Sequence, residues 1–539
     1  MSAAHAAASA EPIREILAAE SHPDIRTADW NQWRSSVSRL YAEHGFAPAW
    51  FADRSLTRSA VALVHELQDA ARRGLDSADY RVARFEAAAA RGIPGTRVDA
   101  DEIPLLDVAL SVAAARFVAE LHAGRVDPQA LGFRLDVSRP PFDAIETLRS
   151  LTVSPGASAS ASVLDSVEPN WRRFALLKRA LAQYRALAAE PAPAAIPAPP
   201  KWGLSVGEAY ADAPALRRLL RAFGDLHAAA SDAAPAKERL DADLVAALRR
   251  FQTRNGLRST GALDEETYRA LSVPLDVRVR QIELTLERFR WLPPKLESPP
   301  IIVNIPQFRL FALYTIEDRE DAILPIDVIV GREFARYNTP VFAADMQYVV
   351  FQPYWDVPDS ILVSELLPQI EANPGWIRSK GYEVVWTAGG RAATQEVTGE
   401  TISALSSGRA RLRQRPGPEN ALGRVKFVMP NRYSVYLHDT PTAALFAAPR
   451  RALSHGCIRV ADPVALAEYV LRANPGWTRE RIVAAMQADA TLRVDLARPI
   501  RVFIVYATTL VAEDGTVYFF EDLYGHDARL EAALRSRRQ

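Results

Sequence analysis

The chain has 539 residues, a single cysteine, and Lys+Arg 65 set against Asp+Glu 65. Its length calls for several domains of about 100–200 residues each, and its 49% hydrophobic and 24% charged content is that of globular protein. The even charge argues against a nucleic-acid partner, which would draw a basic excess; the lone cysteine rules out an intrachain disulfide, and no apolar run approaches the ~18 residues of a membrane-spanning helix.

The opening MSAAHAAASAEPIREIL has no basic stretch followed by an apolar one, so no secretory signal reads from it. A cytoplasmic chain and an exported chain whose leader has been removed both fit. Residues 12–186 form a helical scaffold domain. LTRSAVALVHELQDAARRGL and LLDVALSVAAARFVAELHAGRV carry apolar residues at helical spacing, and Gly74 and Gly124 stop them. The aromatics of FAPAWF (46–51) read as core packing between helices, and SPGASASAS (154–162) as a small-residue loop. A Pro/Ala-rich stretch, 187–202, is an extended linker.

Residues 203–275 form a small domain. Leu244, Leu248 and Phe251 make one helix face, Gly256 stops that helix, Gly261 turns the chain, and Asp264 caps a short helix carrying Tyr268 and Leu271. A DNA-binding helix–turn–helix is one reading, and the net charge opposes it. The run of Phe251-Gln252, Gly256-Leu257, Gly261 and Asp264 to Leu271 resembles the three-helix peptidoglycan-binding module. A connecting helix (276–298, core DVRVRQIELTLERFRW) follows, and from about 299 the period changes to that of strands. IIVNIPQFRLFAL, LPIDVIVG, DMQYVVF, VKFVMP and SVYLHD are β-branched and aromatic, and RVFIVYATTLVAEDGTVYFF reads as two strands around Asp514-Gly515. Residues 299–525 are therefore mostly β. A helical and loop-rich insertion at about 356–424 has the size and place of a lid. The fold class is α+β and multidomain: helical scaffold, small three-helix module, and a mostly β C-terminal domain with a capping insertion.

The one thiol lies in ALSHGCIRV (452–460). The loop precedes Asp462-Pro463, a helix start, so its amides and that helix favour negative charge, and Cys457 is expected to ionise more easily than a buried thiol. Cysteine catalysis needs a base, and His455 and His438 are candidates. The gap from His438 to Cys457, 457 − 438 = 19 residues, is enough to leave a strand and return. Gly456 removes a side chain beside the nucleophile, so a carbonyl can reach backbone amides acting as an oxyanion hole. Tyr436, two residues before His438 on a strand, shares its face. His438, His455, Cys457 and Asp439 also allow a zinc reading, against which stand the single cysteine and the lack of a close-spaced ligand pair.

A histidine, this gap, and then Ser454-His455-Gly456-Cys457-Ile458-Arg459 resemble the signature of the L,D-transpeptidase (YkuD-type) catalytic domain. His438-Asp439-Thr440-Pro441, Gly331-Arg332, Thr339-Pro340 and YWDVP (354–358) are similar to that family too. The overall layout resembles its large YcbB-like Gram-negative members. The resemblance implies a cysteine acyltransferase without metal or cofactor. Cys457 would attack the bond before D-alanine in a tetrapeptide stem, and an amine of diaminopimelate on a second stem would resolve the thioester into a 3→3 cross-link. His438 would be the base and then the acid. Arg459 would order the loop or meet a carboxylate, His455 and Ser454 would shape the loop or touch substrate, and Tyr436 and Trp355 would line the pocket. Core packing is the other reading of Trp355. The resemblance further implies peptidoglycan stems and glycan as partners, other cell-wall synthases beside them, a periplasmic location with the leader lost before residue 1, and acylation by carbapenems. Three other readings remain: a hydrolase using the same cysteine, a variant giving 1→3 links or attaching a lipoprotein, and a non-catalytic wall-binding protein.

Overall fold

In the computed structural model, residues 3–90, 98–135, 141–190, 196–226, 238–388 and 392–537 are described. The N-terminal part is helical and organised around the helix Ile103–Ala123, whose side chains are apolar on nearly all faces and are buried accordingly. Asp107 sits inside that helix. It accepts hydrogen bonds from the Tyr41 hydroxyl and from the amides of Ala49 and Trp50, so the aromatic turn 46–51 is tied to the core by a carboxylate. Burial pushes that carboxyl up to about 6.

The expected small-residue loop at 154–162 is a helix from residue 157 onward, Ala157–Val167. Alanine and serine do not oppose a helix once Leu164 and Ser160 are packed against the core. The expected linker is also shorter. The helix Arg172–Ala189 runs into it, and Ile196 is buried on the small domain with its carbonyl accepting from the Tyr268 hydroxyl at 3.1 Å. Residues 191–195 of that stretch lie outside the described residues.

In the small domain the helix Ala242–Arg254 buries Leu244, Leu248 and Phe251. Asp264 caps Glu265–Leu271 by accepting from the Thr267 amide at 2.8 Å. Gln252, fully buried, bonds the turn at Gly261 and the hydroxyl of Thr267, and so holds the two helices together.

The helix Leu275–Phe289 does more than connect. Burial of Ile282, Leu284, Leu286 and Phe289 places it at the centre of the largest core, against Arg172–Ala189 and the β domain. Its Glu287, wholly buried, takes Arg125 Nε at 3.1 Å and the Val126 amide at 3.1 Å from the scaffold side.

Among the described residues, the main sheet of the β domain has nine strands. Their order is Ala452–Ser454, Ile323–Gly331, Ile458–Val460, Leu437–His438, Val425–Val428, Phe342–Phe351, Leu492–Val505, Ile301–Asn304, Arg309–Leu313. The last of these also pairs with Ile323–Gly331, so the sheet closes on itself and only Ala452–Ser454 lies outside the ring. The run at 301–313 is a hairpin of two strands. The segment at 501–520 is three strands: the end of the long Leu492–Val505 and then the pair Thr509–Val511 and Val517–Phe519, turned at Asp514-Gly515. Thr508, buried, donates to Asp527 at 2.8 Å and breaks the run that sequence pattern alone reads as continuous. The insertion has its own core and its own small sheet, Trp355–Asp356, Ala410–Gln414 and Tyr382–Trp386. Among the described residues no helix is long and apolar enough to cross a membrane.

Candidate active site

Three adjacent strands build the site. Val425–Val428 runs antiparallel to Leu437–His438, which runs parallel to Ile458–Val460. Register pairs Lys426 with His438 and His438 with Arg459. Alternation then sorts the side chains onto two faces. Val425, Phe427, Leu437, Ile458 and Val460 are buried in the core. Lys426, Tyr436, His438, Cys457 and Arg459 fall on the other face, with Tyr436 opposite Cys457. The amide of Ile458 donates to the Tyr436 carbonyl at 3.1 Å and keeps that pairing.

Cys457 is half-buried between two strands, Ala452–Ser454 and Ile458–Val460, and does not lie on a helix start. The helix that follows, Pro463–Leu471, spends its N-terminal amide on its own cap Asp462, which accepts from Ala465 at 2.9 Å. The expected easy ionisation is therefore corrected. Burial pushes the Cys457 thiol up, opposed by the Tyr436 amide and hydroxyl and by the charges of Arg459 and Lys426. Tyr436 itself is raised well above the usual tyrosine range, chiefly by burial, so its hydroxyl is a donor.

His438 is 4% exposed. Its Nδ1 lies 2.6 Å from the Asp439 carbonyl oxygen. A carbonyl only accepts, so Nδ1 carries the proton and Nε2 the lone pair. Burial, with Arg459 and Lys426 beside it, pushes the imidazole down to about 3. Its ring is 5.8 Å from that of Tyr436, on the same face.

The turn carrying Cys457 is held from behind. Ser454 donates to the Cys457 carbonyl at 2.6 Å and accepts from the Gly456 amide at 3.1 Å. The Gly456 amide is thus occupied by Ser454, while its missing side chain leaves the approach to the turn open. Its φ of +116° is why glycine stands there. Thr339 bonds the Gly456 carbonyl at 2.8 Å and takes the Gly331 amide at 2.9 Å, while Tyr524 donates to the Gly331 carbonyl at 2.6 Å. A Cβ on Gly331 would lie 1.9 Å from the Tyr337 carbonyl oxygen. Gly331-Arg332 and Thr339-Pro340 are therefore the brace of the cysteine turn, a role that spacing could not disclose.

His455 is engaged by the insertion and by the loop after the Ile323–Gly331 strand. Its Nε2 meets Glu365 of the insertion at 2.6 Å, and its ring packs edge-on to Tyr337 at 4.8 Å. Trp355 packs with the insertion core, 6.2 Å from the Tyr382 ring. Asp439 accepts from the Arg424 and Thr440 amides. Among the described residues no three His, Cys, Asp or Glu side chains are placed to hold a metal ion. Nothing in the sequence marks Lys426 or Glu365. A lysine between apolar strand residues reads as an ordinary solvent-facing position, and nothing local marks the glutamate.

Residues 299–485 match the L,D-transpeptidase catalytic domain family (YkuD), residues 210–271 the family described as "Putative peptidoglycan binding domain", and residues 35–181 the Scaffold domain. A protein of Haemophilus influenzae (strain ATCC 51907 / DSM 11121 / KW20 / Rd) named "Putative L,D-transpeptidase" is 32% identical over 254 residues, 47% of this chain and 49% of that protein. The matched region thus spans about half the length of that curated relative. The crystal structure of the L,D-transpeptidase (residues 123–326) from Xylanimonas cellulosilytica DSM 15894 is 12% identical, covers 57% of this chain and 100% of that one, with a TM-score of 0.16.

Proposed function

We propose that this chain, which carries a YkuD-type L,D-transpeptidase catalytic domain behind scaffold and peptidoglycan-binding domains, forms 3→3 peptidoglycan cross-links outside the inner membrane by cysteine acyl transfer. The observation that carries this reading is the shared face on which register sets Cys457 and Tyr436 side by side and His438 one row along. The Cys457 sulfur attacks the carbonyl that precedes D-alanine in a tetrapeptide stem, and its proton passes to His438 Nε2. The carbon–nitrogen bond breaks, the imidazolium returns the proton to the D-alanine amine, and a thioester remains. A diaminopimelate amine of a second stem then attacks the thioester carbonyl. The cross-link forms, and the thiolate leaves and recovers a proton. The Cys457 amide is the donor proposed for the carbonyl oxygen, since the Gly456 amide is spent on Ser454.

Both ionisations of the resting pair are unfavourable: the thiol is raised and the imidazole lowered. The pair therefore rests neutral, and proton transfer accompanies attack. The Tyr436 hydroxyl stabilises the sulfur as it gains charge. The test is intact mass after incubation with a carbapenem and, separately, a tetrapeptide donor. A single adduct on the wild type and none on Cys457→Ala is expected, with disulfide-linked peptide dimers or cross-linked dimers as product when an acceptor is present. Release of D-alanine without dimer would mean a hydrolase. No adduct on the reduced wild type would leave wall binding as the function.

A further inference from the structure

Lys426, His438 and Arg459 stand in one row across three strands, so two cations flank one imidazole. Lys426 Nζ lies 5.6 Å from the centre of the Tyr436 ring. Both cations are half-buried, and among the described residues neither forms an ion pair with a carboxylate. Asp356, the acid whose charge reaches Lys426, is held by Arg411 at 3.5 Å. Arg459 Nε is buried without an acceptor, and the charge of Arg332 presses on the same guanidinium. Half-buried positive charge without a counterion is costly unless an anion completes the site.

We propose that Lys426 and Arg459 together bind a carboxylate of the donor stem, one residue from the bond that Cys457 attacks. This inference rests on the acyl-transfer reading. Arg459 lies two residues beyond Cys457 on the same face, a rise of ~7 Å, which suits an anion carried by the amino acid next to the reacting carbonyl. The planar guanidinium offers a two-pronged contact and the ammonium a point charge from across the row. Two groups of the stem have this chemistry: the α-carboxylate of the leaving D-amino acid and the side-chain carboxylate of diaminopimelate. A bound anion also offsets the two charges beside His438, which eases proton transfer to Nε2.

The experiment compares acylation of Cys457 by three donors, followed by mass and by release of the leaving amino acid: the free tetrapeptide acid, its C-terminal amide, and a tetrapeptide with lysine in place of diaminopimelate. The carboxylate that is bound is the one whose loss lowers kcat/KM by ~10- to 100-fold. Lys426→Met is expected to shrink the ratio of kcat/KM between the fully anionic donor and the donor lacking that carboxylate by ~10-fold or more, over and above any change common to all donors that the lost charge makes through Cys457 and His438, with Lys426→Arg restoring the ratio. Equal rates for all three donors on the wild type would overturn the inference while leaving the acyl-transfer reading intact, and so would an equal loss for all donors in Lys426→Met. No acylation by any donor would overturn both.

Discussion

Cys457 is the residue on which the site turns, and its environment has a measurable sign. Burial raises the thiol, so the thiolate fraction at neutral pH is below that of a free cysteine. Alkylation of the wild type by iodoacetamide should rise with pH along a curve displaced to the alkaline side of N-acetylcysteine measured in parallel; a displacement to the acid side would contradict this placement. His438 behaves oppositely to an ordinary histidine. With its imidazole held down to about 3, it remains unprotonated from neutral pH through pH 5, so acylation should show no acid limb near pH 6.5. A second histidine tests the same physics through stability. His526, packed among Phe133, Tyr506 and Tyr524, is pushed down to about 4 by burial and by Arg288. Between its unfolded value of about 6.5 and 4, the unfolded chain holds a proton that the folded one does not. Stability therefore falls as pH falls, by about 1.4 kcal/mol per pH unit for this group. His526→Phe keeps the aromatic packing and should flatten that slope by this amount in urea titrations at pH 6, 5 and 4.5.

At the scale of elements, the cysteine turn is a short loop made rigid by its neighbours. Its hydrogen bonds run to the end of the Ile323–Gly331 strand and to Thr339, so the loop after that strand sets where the sulfur lies. Gly331→Ala would drive a methyl into the Tyr337 carbonyl. It is expected to cost about 3 kcal/mol in urea unfolding and to slow acylation of the folded fraction by ~100-fold through displacement of the turn. The insertion is held more lightly. The Glu365 contact to His455 is about a third exposed, so Glu365→Gln should change global stability by less than about 0.5 kcal/mol. Deuterium exchange in Leu362–Leu366, a stretch of wide π-type helix, should nevertheless speed up, since this link is what fastens that stretch to the His-Gly-Cys turn. Unchanged exchange there would mean that the insertion core alone holds it.

Across the whole molecule, the helix Leu275–Phe289 is the common wall of scaffold and catalytic domain. Its Glu287 and the scaffold's Arg125 form a buried pair, and Arg290, also buried, donates to the Arg73 carbonyl. Removing one partner leaves a buried charge uncompensated, so Glu287→Ala should lower unfolding free energy by ~3–5 kcal/mol. In calorimetry the scaffold should then melt before the β domain, whereas the wild type is expected to melt as one unit. The buried pair Arg254 and Asp225, with Arg254 also reaching the Val517 carbonyl, fastens the small domain to the same body.

Periodicity and turn chemistry are local properties, and those parts of the molecule were legible in the sequence. They include the long helices, the helix pair of the small domain with its Asp264 cap, the strand content after 299, and the Ser-His-Gly-Cys turn with a histidine strand before it. Elsewhere local pattern is silent. Alanine and serine at 157–162 are helix-compatible and loop-compatible alike, and packing of Leu164 decides between them. The break at Thr508 depends on a partner, Asp527, that lies on another element. Sequence also put Cys457, His438, Tyr436 and Arg459 forward as candidates, through the Ser-His-Gly-Cys motif and its resemblance to the L,D-transpeptidase signature. It could not set His438 between Lys426 and Arg459, spend the Gly456 amide on Ser454, or turn His455 toward Glu365. Those are matters of strand register and of contacts between residues as many as 90 positions apart. Both the thiol's raised pKa and the imidazole's lowered one follow from burial, which no residue has until the chain around it has folded.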